Sequence, residues 1–247
     1  RHCQAYSPVL DRSMLDWKTK AEKHAKDEFP SEVCGLVVCI KGKEKYMPCK
    51  NVAINPLDHF IINPEDWAEA EDSGTIMSIF HSHPYQSPLP SEADKAACEL
   101  TKLPWYIYGV GVDTWHDFAP SGYKASLIGR KWVWGVHDCW TLTKDYYESK
   151  GIILRDWERP NDPEEFRQNP YFDKCFKDTG FRQLGNEEAL QEGDSLLFSL
   201  NSTGLNHVGV YLGKQMVLHH IQGRLSSKDF YGEWLMKATG MRLRYAA

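Results

Sequence analysis

The sequence predicts an α+β protein of two domains, and three observations support that prediction. The chain has 247 residues, which suits one large domain or two small ones, because domains average ~100–200 residues. Its 42% hydrophobic and 26% charged residues are typical of a globular protein. The first half alternates helical patterns with short apolar runs, whereas the second has one helical pattern followed by apolar runs that fit an antiparallel meander.

Apolar periodicity and turn residues define the expected elements of the first half. Residues 11–28 have apolar side chains at roughly helical spacing, and Pro30 ends that pattern. The nearly unbroken apolar run VCGLVVCI at residues 33–40 predicts a buried strand. The further expected elements are a strand near Tyr46, a strand at 60–62, a helix from Pro64 to Ala70 capped by Asn63, a strand at 75–80, a helix from Ser91 to about Lys102, and strands at 105–112 and 115–119.

A stretch without clear periodicity separates the two halves. Glycines and a proline punctuate residues 120–137, so we expect domains at 1–122 and 137–247 joined by a linker at 123–136. The expected elements of the second half are a helix at 138–150, little regular structure at 155–175, and strands at 194–200, 207–213, 215–221 and 241–245.

Charge and cysteine usage exclude several classes of protein. The net charge is −5 and neither half has a basic stripe, which argues against a nucleic-acid partner. No apolar run approaches the ~18 residues of a membrane span. The chain begins with RHC and not with Met, so we expect a trimmed or processed N-terminus without a signal peptide. The seven cysteines are odd in number and include no Cys-x-x-Cys, which favours reduced thiols over a disulfide framework or a zinc knuckle.

A first group of candidate functional residues follows the strand at 75–80. His81 and His83 are two residues apart, so their imidazoles project to the same side of an extended segment and can meet one metal ion. Asp94, in the helix that Ser91 opens, offers an oxygen ligand. Two histidines and one carboxylate leave one tetrahedral position open for water, which is the pattern of catalytic zinc. Zinc would lower the pKa of that water to ~7.

A base and an oxyanion donor complete this first group. Glu32 precedes the buried strand at 33–40, where desolvation would raise the pKa of its carboxyl group towards that of a general base. The hydroxyl of Ser91 could stabilise the oxyanion of a tetrahedral intermediate. The residues alone leave an alternative open, in which the two histidines are ordinary loop residues and Glu32 lies on the surface.

The spacing of these residues resembles the signature of the JAMM (MPN+) metalloproteases. ExCG begins at Glu32, HSHP begins at His81, and SxxD ends at Asp94, without a departure from the family pattern. The resemblance covers roughly residues 20–120 and implies an α/β sandwich that cleaves peptide or isopeptide bonds, although relatives of this fold can lose catalysis. It also implies Zn²⁺ as cofactor, with ligands His81, His83 and Asp94, general acid/base Glu32 and oxyanion donor Ser91.

A second group of candidate residues lies in the second half. Cys139 stands at the expected start of a helix, where the helix dipole and free backbone N–H groups favour a thiolate nucleophile. His207 opens the apolar run HVGVYLG and could act as the base, and His219, one strand later, could orient it. The alternative is that Cys139 is a small buried hydrophobic residue and the histidines are structural.

The second group resembles the NlpC-type cysteine peptidases over roughly residues 135–247. The matching segments are DC ending at Cys139, GD at 193–194, NHVGVY at 206–211, and a histidine before Gly223. The resemblance implies a papain-like fold with nucleophile Cys139, base His207 and orienting residue His219, and His220 is the less favoured alternative. Most members cut the stem peptides of bacterial cell walls. Trp and Thr follow Cys139 where the family often has Ser or Gly, which leaves the substrate subsite open.

The order of the two domains resembles that of the tail tip assembly proteins of long-tailed phages. Matching segments are PSEVCGLVV, PEDW, HSHP, SEAD, LPW, NHVGVYLG and LHHIQGRLS, whereas about fifteen residues before the first helix have no counterpart. The resemblance implies other tail tip proteins as partners and the peptidoglycan stem peptide as substrate. It also implies a location in the host cytoplasm during assembly, at the virion tail tip, and in the host periplasm when the genome is delivered.

Three functional hypotheses follow from the sequence. The chain is a hydrolase with two sites, or a structural tail-tip assembly component with residual catalysis, or a cellular isopeptidase unrelated to phages. Two intact motif sets favour catalysis, because a scaffold has no need of an ionisable nucleophile beside a base.

Overall fold

The computed structural model of the chain describes residues 12–246, with side chains from Asp16 onward. The expectations for the first three residues, Cys3 included, lie outside this range. The chain divides into two compact units between Tyr123 and Lys124. Within the described residues, no helix combines the length and hydropathy that crossing a bilayer requires.

The first unit is a five-stranded sheet with helices on both faces. Its elements are α1 Arg12–Asp27, β1 Cys34–Ile40, β2 Lys43–Cys49, α2 Pro64–Ser73, β3 Thr75–His83, α3 Glu92–Thr101, β4 Trp105–Gly109 and β5 Thr114–Phe118. The strand order is β2-β1-β3-β4-β5, in which β3 and β4 run parallel and the other neighbours run antiparallel.

The two faces of this sheet follow from the alternation of side chains along its strands. Phe80 of β3 packs with Trp17 of α1 on one face. Leu36 of β1 and Ile79 of β3 pack with Cys98 of α3 on the other face. From Ile79 onward, side chains at odd positions of β3 therefore point towards α3, which places His81 and His83 on the face where Asp94 lies.

Three expectations for the first unit need correction. The strand expected at 105–112 ends at Gly109, because residues 110–113 form the turn to β5. The strand expected at 60–62 is a single bridge between Asn51 and Ile62, so it is not an extended strand. Strand β3 does not end at Phe80 but continues to His83, because the parallel strand β4 pairs with it as far as Gly109. The two histidines therefore belong to a paired strand and not to a loop.

The second unit is a six-stranded antiparallel sheet with a helix packed against it. Its elements are α4 Cys139–Ser149, α5 Pro163–Gln168, α6 Phe172–Cys175, a 3₁₀ helix Phe176–Thr179, β6 Phe181–Gln183, β7 Ser195–Phe198, β8 His207–Tyr211, β9 Met216–His219, β10 Ser227–Phe230, α7 Glu233–Ala238 and β11 Thr239–Tyr245. The strand order is β10-β9-β8-β7-β11-β6. Helix α4 packs against β8 and β9. The predicted α+β class is confirmed.

Several elements of the second unit are not apparent in the sequence. The segment 155–175 contains α5 and α6, where little regular structure was expected. Strand β10 has the sequence SKDF with its one apolar side chain exposed, so it lacks the apolar alternation by which strands are predicted. Strand β6, of three residues, and helix α7, of six residues, are too short to show a recognisable apolar period.

Part of the segment expected as a linker packs within the second unit. The N–H of Gly129 donates to the carbonyl of Ser226 at 2.8 Å, and the N–H of Arg130 donates to the hydroxyl of the same serine at 2.9 Å. The guanidinium of Arg130 is buried and pairs with Asp145. Residues from Lys124 onward are thus assigned to the second unit.

Candidate functional site

The first cluster of functional side chains joins β3 to the start of α3. The Nε2 atoms of His81 and His83 are 3.2 Å apart, and they lie 3.4 and 3.5 Å from carboxylate oxygens of Asp94. One ligand atom from each residue lies within 4.8 Å of the others. The structure therefore brings the three predicted metal ligands together.

A backbone carbonyl sets the orientation of His83. Its Nδ1 lies 2.7 Å from the carbonyl oxygen of Ser87, and because a carbonyl oxygen only accepts, Nδ1 carries the proton. In the neutral ring, Nε2 then has a lone pair directed at His81 and Asp94. Metal-bound histidines are commonly held by such a contact to their second nitrogen.

Aromatic side chains hold the ring of His81. It stacks on Phe60 with centroids 4.6 Å apart, and Trp105 meets it edge-on at 5.5 Å. Its Nδ1 is buried without a hydrogen-bond partner among the described residues, so Nε2 is the polar atom that faces the cluster.

A capping box fixes the carboxylate of Asp94. The N–H of Ser91 donates to Oδ2 of Asp94 at 2.7 Å, and the N–H of Asp94 donates to the hydroxyl oxygen of Ser91 at 3.1 Å. Ser91 is exposed. In this structure Ser91 thus orients a predicted metal ligand, and its role as oxyanion donor remains a prediction.

Burial and mutual charge set the protonation of this cluster. Burial lowers the pKa of His81 to about 4, with the charge of Asp94 acting against it. Burial also opposes a charge on His83, but its bonds to Asp94 and to the Ser87 carbonyl outweigh burial and raise its pKa. The two imidazoles and Ser91 outweigh burial at Asp94 and hold the pKa of that carboxyl group well below its usual range. The cluster therefore contains an ionised carboxylate and a neutral His81 near neutral pH.

Glu32 lies beside this cluster and is 7% exposed. Its N–H donates to the carbonyl of Pro56 at 2.6 Å, and its own carbonyl accepts from the side-chain amide of Asn51 at 2.9 Å. Cys34 pairs with His81 across β1 and β3, which brings the chain at Glu32 to the end of β3 that carries the histidines, and the charge of Glu32 is one of the causes that raise the pKa of His83. Glu32 is therefore a buried residue and not the surface residue of the alternative hypothesis.

The donor set of this cluster fits a zinc-class metal ion. Imidazole nitrogens and a carboxylate oxygen are usual protein ligands of zinc, and three of them leave one tetrahedral position for another molecule. One ligand atom each of His81, His83 and Asp94 lies within 4.8 Å of the other two, so a single cation that displaces the proton between His83 and Asp94 could contact all three. His81, His83 and Asp94 could therefore hold the ion, with Glu32 beside them.

The second cluster begins at the N-terminus of α4. Cys139 is its first residue, and Asp138 is its N-cap. The carboxylate of Asp138 accepts the N–H groups of Trp140 and Thr141 at 3.0 and 2.9 Å. Asp138 is completely buried, and its other oxygen pairs with the guanidinium of Arg159 at 2.7 Å. These contacts fix the first turn of the helix, and with it the position of Cys139.

The expectation that the thiol of Cys139 has a lowered pKa is wrong. The residue is 5% exposed, and burial, aided by the charge of Asp138, raises the pKa of its thiol to about 12. Hydrogen bonds from the N–H groups of Val208 and Trp140 and the charge of Arg159 oppose this shift but do not cancel it. Cys139 is therefore a protonated thiol near neutral pH.

Three side chains on neighbouring strands form a hydrogen-bonded row beside this cysteine. Nε2 of His207 lies 3.2 Å from Nδ1 of His219, and Nε2 of His219 lies 3.1 Å from Oδ2 of Asp229. The backbone N–H of Val208, the residue after His207, lies close enough to the sulfur of Cys139 to act against the rise in the pKa of its thiol. The structure therefore brings the predicted nucleophile to the backbone next to the predicted base.

Both imidazoles of this row are neutral near pH 7. Burial, with the neighbouring His219 and His220, lowers the pKa of His207 well below its usual value. Burial also lowers the pKa of His219, although Asp229 acts in the opposite direction. A neutral His207 has a lone pair that can accept a proton, as a general base requires.

His220 is not part of this row. Its Nε2–H donates to the carbonyl of Arg224 at 3.1 Å, within the loop that follows β9. Successive side chains of a strand point to opposite faces, so only one of the two adjacent histidines can face His207. The structure brings His219, and not His220, to His207.

Sequence reasoning missed Asp229 and Ser82. Asp229 lies on β10, a strand without an apolar pattern, so nothing in the sequence placed it beside His219. Ser82 stands between the two histidines of HSHP, and its hydroxyl oxygen accepts the N–H of Val33 at 3.0 Å. The sequence did contain a signal for Ser82: a residue between two candidate ligands in a strand points to the opposite face of the sheet, where it can contact other residues.

Family comparisons agree with the two units. Residues 16–120 match the family described as prokaryotic homologs of the JAB domain, and residues 129–244 match the NlpC/P60 family. The matches confirm the predicted fold of each half. The chain thus falls in the class of proteins that carry a JAB-like domain followed by an NlpC/P60 domain.

Two relatives match nearly the whole chain. Tail tip assembly protein K of Escherichia phage N15 is 37% identical over 90% of this chain and 91% of its own length. Tail tip assembly protein K of Escherichia phage lambda is 37% identical over 75% of this chain and 90% of its own length. The chain belongs to the tail tip assembly protein K family.

A third relative matches about half of the chain. A probable TtuB-protein conjugate cleaving protease of Thermus thermophilus is 30% identical over 48% of this chain and 80% of its own length. The phage proteins match far more of this chain than the Thermus protein does.

Proposed function

We propose that the second unit is a cysteine peptidase of a phage tail tip that hydrolyses the stem peptides of the bacterial cell wall. Cys139 is the nucleophile, His207 the general base and His219 the residue that orients His207. The row from His207 through His219 to a carboxylate, beside a helix-terminal cysteine, is the observation that carries the proposal.

The protonation of the two groups defines the reaction path. The neutral imidazole of His207 takes the thiol proton of Cys139 as the sulfur attacks the carbonyl carbon of the peptide, because the thiol is protonated at rest. His207 then gives that proton to the leaving amine as the carbon–nitrogen bond breaks. Water, deprotonated by His207, hydrolyses the resulting thioester and releases Cys139 as a thiol.

The assignment of the substrate depends on the family of the chain. A phage tail must cross the peptidoglycan layer, and a peptidase at its tip would open that layer locally. The NlpC/P60 match covers the unit that contains Cys139, which supports the stem peptide as substrate.

Digestion of purified peptidoglycan by the full chain tests this proposal. Mass spectrometry of the soluble products should find cleaved stem peptides with the wild-type chain and none with Cys139→Ala. Cys175→Ala is the matched control, because Cys175 is a free, partly exposed thiol of the same unit. Intact stem peptides after digestion with the wild-type chain would refute the assignment.

We propose, for the first unit, a zinc-dependent peptidase or isopeptidase that acts on a protein during tail assembly. His81, His83 and Asp94 would hold the ion, which when bound supplies Lewis-acid chemistry and lowers the pKa of water. Glu32 would hold and transfer the proton, and Ser91 would donate a hydrogen bond to the oxyanion. The convergent cluster and the similarity to a conjugate-cleaving protease support this proposal.

Cleavage of a peptide-conjugated protein by the zinc-loaded chain tests the second proposal. Glu32→Gln should abolish cleavage while retaining zinc, because the glutamate moves a proton and does not hold the ion. Glu28→Gln, at an exposed carboxylate, is the matched control. Full cleavage by Glu32→Gln would remove Glu32 from the proposed chemistry.

A structural role in tail assembly is the third candidate function. The relatives that match most of the chain are named for tail tip assembly, which supports a place in the host cytoplasm during assembly and in the virion tail, beside other tail proteins. Normal plaque formation by a phage that carries both Cys139→Ala and Glu32→Gln would favour this role over catalysis.

A further inference from the structure

We propose that Asp229 is a positioning residue that fixes the tautomers of His219 and His207, so that His207 keeps Nδ1 unprotonated for the proton of Cys139. This inference deepens the proposed cysteine peptidase and rests on it for its consequence in catalysis. The tautomers themselves are properties of the folded chain and can be measured without a substrate.

The first step is the contact between Asp229 and His219. Oδ2 of Asp229 lies 3.1 Å from Nε2 of His219, and a carboxylate oxygen can only accept a hydrogen bond. Asp229 is a carboxylate near neutral pH, because bonds from His219 and Ser227 outweigh its partial burial and lower its pKa. Nε2 of His219 must therefore carry the proton.

The second step is that the tautomer of His219 determines the tautomer of His207. A neutral imidazole carries one proton, so a proton on Nε2 of His219 leaves Nδ1 with a lone pair. That lone pair faces Nε2 of His207 at 3.2 Å, which must then be the donor. His207 is also neutral, so its own Nδ1 is left unprotonated and is the ring nitrogen that can accept a proton.

The position of Asp229 is itself held by two neighbours on the same segment. The hydroxyl of Ser227 donates to Oδ1 at 2.9 Å, and the guanidinium of Arg224 lies 3.2 Å from Oδ2. Ser227 pairs directly with His219 across the ladder of β9 and β10, and Asp229 lies two residues further along the same face. Without this acceptor, His219 could carry its proton on Nδ1 and donate a hydrogen bond to Nε2 of His207. The proton of His207 would then lie on Nδ1, the nitrogen that must accept the proton of Cys139.

Nitrogen-15 NMR of the full chain with labelled histidines tests the inference directly. Two-bond nitrogen–proton correlations identify the protonated ring nitrogen, with assignments from His207→Gln and His219→Gln. We expect Nε2–H on both rings in the wild-type chain and Nδ1–H on His219 in Asp229→Ala. Nδ1–H on His219 in the wild-type chain, or unchanged tautomers in Asp229→Ala, would overturn the inference.

Peptide hydrolysis gives a second readout that a merely structural role would not produce. Asp229→Ala should lower kcat about 10- to 100-fold with little change in KM, which is part of the about 10²- to 10⁴-fold that a positioned general base contributes. Asp229→Asn should restore part of the loss, because its amide oxygen can still accept the Nε2–H of His219. Asp173→Asn, at an exposed carboxylate of the same unit, is the matched control.

The two readouts separate the inference from the proposed function. Unchanged kcat in Asp229→Ala, with activity still lost in Cys139→Ala, would overturn the inference and leave the peptidase in place. The expected NMR pattern in a chain that cleaves no cell-wall peptide would support the tautomer assignment and refute the peptidase.

Discussion

The hydroxyl oxygen of Ser82 accepts a hydrogen bond from the N–H of Val33 at 3.0 Å, and both residues are buried. Ser82 stands between the two histidines of β3, and Val33 directly follows Glu32. The N–H of Ser82 also donates to the carbonyl of Val33 at 3.0 Å. One residue thus ties the predicted base to the strand that carries two predicted metal ligands.

Replacing Ser82 by alanine should destabilise the first unit. The buried N–H of Val33 would lose its acceptor, and an unsatisfied buried donor costs about 1–3 kcal/mol. We expect the free energy of unfolding, measured by urea denaturation of the full chain, to fall by about that amount.

Ser78→Ala is the matched control for this substitution. Ser78 is also buried on β3, but it is not the acceptor for the N–H of Val33, which bonds to the hydroxyl of Ser82. Ser78→Ala should lower the free energy of unfolding by less than Ser82→Ala does. Equal losses for the two variants would contradict the role given to the Ser82 hydroxyl.

The first unit should bind one zinc ion per chain. Isothermal titration calorimetry should find one site, and zinc at a hundred times its Kd should stabilise the chain by about 2.7 kcal/mol. His83→Ala should abolish binding, whereas His116→Ala, on β5, should not. Undiminished binding by His83→Ala would contradict the ligand assignment.

Cys139 should react slowly with iodoacetamide in the absence of substrate. A pKa of about 12 leaves little thiolate at pH 7.5, and the side chain is buried. We expect the partly exposed Cys175 to be alkylated at least about tenfold faster, as measured by peptide mass spectrometry. Faster labelling of Cys139 than of Cys175 would contradict the raised pKa and support the lowered pKa that the sequence suggested.

The second unit should lose stability as pH falls through about 6.5, the pKa of histidine in an unfolded chain. Burial lowers the pKa values of His207, His219 and His220 in the folded chain, so below that pH the unfolded chain binds more protons than the folded one. Stability therefore decreases with falling pH, by up to about 1.4 kcal/mol per pH unit for each histidine.

The variant His220→Gln measures the contribution of one of these histidines to the pH dependence. His220→Gln retains a donor for the Arg224 carbonyl and removes one titrating group. The decrease in unfolding free energy between pH 7.5 and 5.5 should shrink by about 1 kcal/mol relative to the wild-type chain. Stability that rises on acidification over this window would contradict the lowered pKa values.

The sequence predicts the parts of the fold that have strong apolar patterns. The buried runs of β1, β7 and β8 were predicted because successive apolar residues mark a strand with two covered faces. Strand β10 was not, because SKDF forms an edge with an exposed Phe230. Asp229 could not be found for the same reason.

The sequence also predicts which residues meet, but not their electrostatics. The spacing of His81 and His83 on one strand required a common face, and the structure brings Asp94 to that face. A helix N-terminus suggested a lowered pKa for Cys139, but the depth of burial and a buried Asp138 decide the shift, and neither can be obtained from spacing.

Hydrolysis of a fluorogenic stem peptide by three forms of the full chain is the decisive measurement for Cys139 as the nucleophile. We expect cleavage by the wild-type chain, cleavage by Glu32→Gln at the same rate, and none by Cys139→Ala. Cleavage that survives in Cys139→Ala and disappears in Glu32→Gln would place the activity in the first unit and refute the assignment of Cys139.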